Sequence, residues 1–92
     1  MATITIQHEF SLSRDEVKLK LVELAEAMTA RYQLNCDWPS EDCLRFKRSG
    51  ASGEINIQAH SIRFNLKLGL MLTAFKTTID KDVRQFLQDN ID

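Results

Sequence analysis

The stretch Leu44–Leu68 reads LRFKRSGASGEINIQAHSIRFNLKL, and its pattern decides the fold. Leu44 and Phe46, then Ile55 and Ile57, then Phe64, Leu66 and Leu68 occupy every second position, with Arg45, Lys47, Glu54, Asn56, Arg63 and Lys67 among the residues between or beside them. A period of two puts apolar residues on one face and polar ones on the other, so each run reads as a half-buried strand. The connections are short, which makes successive strands antiparallel. The predicted register pairs Phe46 with Ile55, Leu44 with Ile57 and Lys47 with Glu54. On the next hairpin it pairs Ile55 with Leu66, Ile57 with Phe64 and Glu54 with Lys67, so that Glu54 lies between two lysines. Ser49-Gly50-Ala51-Ser52 is then a loop with Gly53 at its end. His60-Ser61 is the second tip, or a longer loop spans Ala59–Ile62.

Material on either side of this stretch has the pattern needed to cover the apolar face. Thr3–Phe10 alternates, with Ile4, Ile6, His8 and Phe10 on one side, and reads as a first strand. His8 on that apolar side reads as a satisfied core-edge histidine. Ser13 followed three residues later by Glu16 is a capping box, and Leu12 with Val17 has the spacing of a hydrophobic staple. The predicted helix runs to about Tyr32 on a stripe of Val17, Leu21, Leu24, Ala25, Met28 and Tyr32, widened by Val22. Leu34, Cys36 and Trp38 alternate as a short second strand that Pro39-Ser40-Glu41-Asp42 breaks. Cys36 and Cys43 fall on opposite faces by alternation, which argues against a bond between them. After Gly69, Leu70–Asp92 reads as helical, with a turn at Leu70–Lys76 or a kink before the main helix. Its predicted inner face is Leu72, Phe75, Ile79, Val83, Phe86 and Asn90. The fold class is therefore α+β: a two-layer sandwich, β-α-β-β-β-β-α, with two helices on one face of a mostly antiparallel five-stranded sheet; an order of 2-3-4-5-1, with the first strand antiparallel to the fifth, is permitted but not required by the sequence.

Ninety-two residues make a single domain, residues 1–92. Twelve Lys plus Arg against thirteen Asp plus Glu leave a net charge of −1, so a case for nucleic acid or an anionic membrane needs a local patch. MATITIQHEF lacks the basic and apolar regions of a signal peptide, and the expected location is cytoplasmic. The most apolar window, Leu66–Phe75, is about half of the ~20 residues that cross a bilayer, so no membrane span is expected.

The run Leu44-Arg45-Phe46-Lys47-Arg48-Ser49-Gly50, continued by Ser52-Gly53 and Ile55, resembles the polyhydroxyalkanoic acid system proteins, small bacterial proteins of polyhydroxyalkanoate granule loci. The ATITI opening, Leu12-Ser13-Arg14 at the helix start and the Leu68-Gly69-Leu70 junction extend the resemblance over nearly the whole chain. It implies an intracellular protein linked to storage-polyester granules and brings no catalytic residues. The residues agree with a non-enzymatic reading: there is no G-x-S-x-G elbow, phosphate-binding glycine loop or H-E-x-x-H. Ser49, Ser52 and Ser61 read as turn residues, and Cys36, Cys43, His8 and His60 have no metal-ligand spacing. No cofactor is expected.

Two surfaces remain as candidates. Leu70, Met71 and Ala74, left without predicted core partners, either close the end of the core or form an apolar surface for a granule-associated protein, the granule itself or a second copy of the chain. Arg45, Lys47, Arg63 and Lys67, with Arg48 near the loop, project from the outer sheet face, either as an ordinary solvated face with cross-strand ion pairs or as a patch for anionic groups that Glu54 partly neutralises. No aromatic residue accompanies them to stack a base, which disfavours nucleic acid. The function expected is an accessory one, by protein or granule-surface binding. The alternative is a small-molecule or acyl ligand held between sheet and helices beside His8, Cys36 and Trp38.

Overall fold

The chain alternates one strand, one helix, four strands and a final helical segment, and the computed structural model describes residues 2–91. Asp92, included in the predicted final helix, and Met1 lie outside the described residues. The strands are β1 (Ala2–Glu9), β2 (Asn35–Ser40), β3 (Cys43–Arg48), β4 (Ala51–Ile57) and β5 (Ser61–Leu68). Helix α1 spans Arg14–Tyr32, a 3-10 helix spans Leu70–Phe75, and α2 spans Lys76–Asn90. The sheet order is β1-β5-β4-β3-β2 with every neighbouring pair antiparallel, the order that the sequence permits without requiring it.

One face of the sheet carries Ile4, Ile6, Leu44, Phe46, Ile55, Ile57, Ile62, Phe64, Leu66 and Leu68, all buried. Both helices cover this face, α1 along β2 and α2 along β1. Ser13 caps α1, its Oγ accepting from the Glu16 amide at 3.3 Å. Val17, Leu21, Leu24, Ala25 and Met28 are its buried stripe. Val22 does not widen that stripe: it is 41 % exposed and shares an outer groove with Leu19 and Trp38. In α2 the buried residues are Ile79, Val83 and Leu87, with Ile91 just beyond; Phe86 and Asn90 are half-buried and Phe75 is exposed. The inner face is thus rotated from the predicted one, because α2 packs chiefly along β1 and so presents Leu87 to the sheet.

The register differs from the predicted one by two residues on both central hairpins. Leu44 pairs with Ile55, Arg45 with Glu54 and Phe46 with Gly53. Ile55 pairs with Phe64, Glu54 with Asn65 and Ser52 with Lys67. A two-residue slip leaves each side chain on its face, so alternation is blind to it. The turns decide it. Ser49-Gly50 closes β3 onto β4 as a two-residue turn, with Gly50 at φ +85° in the left-handed region that favours glycine. Ala51 and Ser52 are therefore strand residues rather than loop. Ala59 and His60 form the second tip, where the Gln58 amide donates to the Ser61 carbonyl at 2.8 Å.

Gly53 sits inside β4 and not at a loop end. A Cβ there would lie 2.1 Å from the Asn65 carbonyl oxygen and 2.7 Å from Leu66 Cα. The position requires glycine for close approach of β5. Strand β2 is an edge that continues through Pro39 to Ser40, with an irregularity between Asp37 and Ser40. Proline is tolerated on an edge because it has no N–H to contribute to a ladder.

Candidate functional site

The chain from Leu68 to Lys76 is positioned by two glycines. The Gly69 amide donates to the Gly50 carbonyl at 2.7 Å, and the Leu72 amide donates back to the Gly69 carbonyl at 3.0 Å. A Cβ on Gly69 would meet that Gly50 oxygen at 3.2 Å. This anchor turns the 3-10 helix outward so that none of its residues is fully buried. Leu70 is 82 % and Met71 90 % exposed, and Ala74 is exposed beside them. Leu72 alone leans back, half-buried against the core.

Arg45, Lys47, Arg63 and Lys67 all lie exposed on the sheet face that no helix covers. The register rearranges their neighbours. Glu54 lies opposite Arg45 and Asn65, not between lysines. Arg45 is held by Asp37 in a two-pronged ion pair, Nη2 to Oδ2 at 2.7 Å and Nε to Oδ1 at 3.1 Å. That bond keeps the Asp37 carboxyl below its usual range and raises the Arg45 guanidinium further. The Cys43 thiol donates to Glu54 at 3.2 Å, and burial followed by Glu54 pushes it up. Cys36 faces the opposite way, toward α1, where its thiol lies 3.6 Å from the Ala25 carbonyl oxygen and burial raises it as well. Among the described residues no three His, Cys, Asp or Glu side chains form a metal-holding group.

His8 and Trp38 do not meet: they stand on opposite edge strands of the sheet. His8 Nε2 hydrogen-bonds to the Ile91 carbonyl and ties the end of α2 to β1. Trp38 is 36 % exposed over an open groove of about 720 Å³ outside α1, lined also by Leu19 and Val22.

Sequence reasoning missed a recess at the end of the sandwich. Leu34, Ala51, Leu68 and Ile79 form a buried floor, Leu72 and Phe75 a wall, and Arg31, Gln33 and Arg48 the rim of a groove of about 290 Å³. Arg48 borders an edge groove with Arg45 and Lys47 of the outer patch, but its hydrogen bonds lie on the other side. It follows Leu44 and Phe46 in the inward alternation, is half-buried, and donates to the Tyr32 carbonyl at 2.8 Å and the Ser49 carbonyl at 3.2 Å. That alternation was the available signal.

Beside the groove, the Tyr32 hydroxyl donates to Asp82 Oδ2 at 2.6 Å and Arg31 pairs with the same oxygen at 2.9 Å. The hydrogen bond from Tyr32, reinforced by Arg31, lowers the Asp82 carboxyl. Burial, then Asp82, pushes the Tyr32 hydroxyl up to about 12. A depressed carboxyl contributes stability that is full above the unfolded value near 4 and is lost as pH falls through the folded one. A raised phenol contributes stability that is full below the ordinary value of 10.0 and is lost as pH rises toward about 12. Tyr32→Phe is therefore expected to remove the alkaline decline and flatten the acid one in urea midpoints measured across pH. Superimposable profiles for the two proteins would show that the contact contributes nothing.

The sequence matches the family model of the polyhydroxyalkanoic acid system protein (PHA_gran_rgn) over residues 4–91. The chain belongs to the polyhydroxyalkanoic acid system protein family. The match runs from β1 to the residue after α2, so the sheet, both helices and the exposed 3-10 helix all lie inside it. No curated protein and no solved structure showed a significant match. Among the described residues of this polyhydroxyalkanoic acid system protein, no helix is long and apolar enough to cross a membrane.

Proposed function

We propose that the protein is a non-catalytic accessory of polyhydroxyalkanoate granules that binds the granule surface, or a protein on it, through Leu70, Met71 and Ala74. The observation that carries this reading is the near-complete exposure of Leu70 and Met71 side by side on a turn anchored by Gly50 and Gly69. Fully burying one Leu or Met side chain is worth about 1.5–3 kcal/mol. A polyester surface offers apolar area to cover such side chains, and the family places the protein in that polymer's system.

Met71→Glu tests it. At 90 % exposure Met71 supports little of the core, so the variant should melt within about 1–2 °C of the parent. A carboxylate on the contact surface should abolish co-sedimentation with granules from polyester-accumulating cells. Undiminished co-sedimentation would remove this surface from consideration. Loss of a dimer by sedimentation velocity, with granule binding retained, would reassign the surface to self-association.

A further inference from the structure

We propose that the end groove between Tyr32, Arg48 and Leu72 binds a free hydroxyalkanoate, its alkyl chain on the apolar floor and its carboxylate on Arg48. This rests on the reading that the protein serves the polyhydroxyalkanoate system, and it names a ligand class for a site distinct from Leu70 and Met71. Polyhydroxyalkanoates are esters of hydroxy acids, so their building blocks are alkyl chains carrying one carboxylate and one hydroxyl.

Shape and lining suit such a molecule. About 290 Å³ is at the low end of small-ligand pockets, and the groove is lined from the end of α1 and the residues after it, the facing ends of β3 and β4, the end of β5, the 3-10 helix and the start of α2. The Phe75 ring stands edge-on to Tyr32, with centroids 6.4 Å apart, and remains 46 % exposed rather than filling the recess.

Charge selects the acid over the neutral ester. Among the described residues Arg48 forms no ion pair with a carboxylate; its two hydrogen bonds go to neutral carbonyls. A guanidinium has five N–H donors, so donors remain for a carboxylate, and the two existing bonds hold the group in place beforehand. Acceptors at the end of α1 and on α2 hold partners of their own. Asp82 takes Arg31 and the Tyr32 hydroxyl, the Tyr32 carbonyl takes Arg48 itself, and the Thr29 carbonyl takes the Gln33 amide. The larger groove beside Trp38 differs: its cation, Lys18, shares the lining with Asp15 and Glu41.

The test is an amide-resolved NMR titration of the full chain with octanoate and, separately, octanol. Octanoate should produce saturable shifts at Ala51, Leu72 and Ile79. Arg48→Gln, which keeps a donor for the Tyr32 carbonyl, should weaken octanoate about tenfold and leave octanol nearly unchanged. Absence of saturable shifts, equal losses for both probes, or shifts centred on Leu19 and Trp38 would each overturn the proposal. Ala51→Leu, which fills the floor, should abolish binding of both probes; retained binding in a folded variant would also overturn it. Met71→Glu separates this idea from the granule contact. Retained octanoate shifts with lost co-sedimentation support both. Co-sedimentation of the parent protein without octanoate shifts refutes the groove alone, and octanoate shifts without co-sedimentation refute the granule contact alone.

Discussion

Gly53→Ala is expected to destabilise the protein by about 3 kcal/mol or more, from one added methyl group. The new Cβ would lie 2.1 Å from the Asn65 carbonyl oxygen and 2.7 Å from Leu66 Cα, both backbone atoms of the adjacent strand. Backbone in the middle of a sheet cannot step aside without breaking the β4–β5 ladder on either side of the Gly53–Leu66 pair. Leu66 Cδ1 lies only 2.9 Å from the same point, so the inner face offers no room either. Gly50→Ala is the control. There a Cβ meets only the Leu72 side chain, no nearer than 3.4 Å, and the cost is that of a left-handed φ of +85°, about 1–2 kcal/mol. Urea unfolding followed by circular dichroism ranks the two. A smaller loss at Gly53 than at Gly50 would mean that β5 does not approach β4 as closely as described.

Phe46→Ala is expected to cost about 3–5 kcal/mol, a large share of the roughly 5–15 kcal/mol that holds a domain of this size together. Phe46 has no exposed surface and lies between Cys36 on β2 and Gly53 on β4. Its ring is tilted by 54° against Phe64, with centroids 5.8 Å apart. Gly53 has no side chain to move into the space a truncated Phe46 would leave, and Phe64 loses its ring partner. The urea midpoint should fall by roughly 2 M, given the usual slope for small domains. Phe46→Leu keeps most of the volume and should cost about half as much or less. A loss below about 1.5 kcal/mol for Phe46→Ala would show that the sheet and α1 collapse into the gap.

These two residues also mark where the sequence was legible and where it was not. Phe46 was readable as an inward strand residue from its alternation with Arg45 and Lys47. Gly53 looked like the end of a loop because glycine is common in loops, and nothing local says that a neighbouring backbone will press against it. Ser13, Glu16 and Val17 located the start of α1 because capping depends on residues within one turn. Val22 and Leu87 were misplaced because the width and direction of a buried helix face depend on what packs against it. Of the candidate surfaces, Leu70, Met71 and Ala74 were legible as apolar residues left over once the core was assigned. The end groove was not, since it is assembled from the end of α1, the ends of β3, β4 and β5, the 3-10 helix and α2.

The sequence by itself determined the α+β class, the order of elements and which strand side chains face the helices, because each follows from short periodicities and caps. The tertiary structure decided the sheet order, the strand register and the rotation of α2. A slip of two residues leaves every side chain on its own face, so local pattern cannot detect it. Only the two-residue turn at Gly50, the close approach at Gly53 and the seat of α2 along β1 distinguish one register and packing from the next.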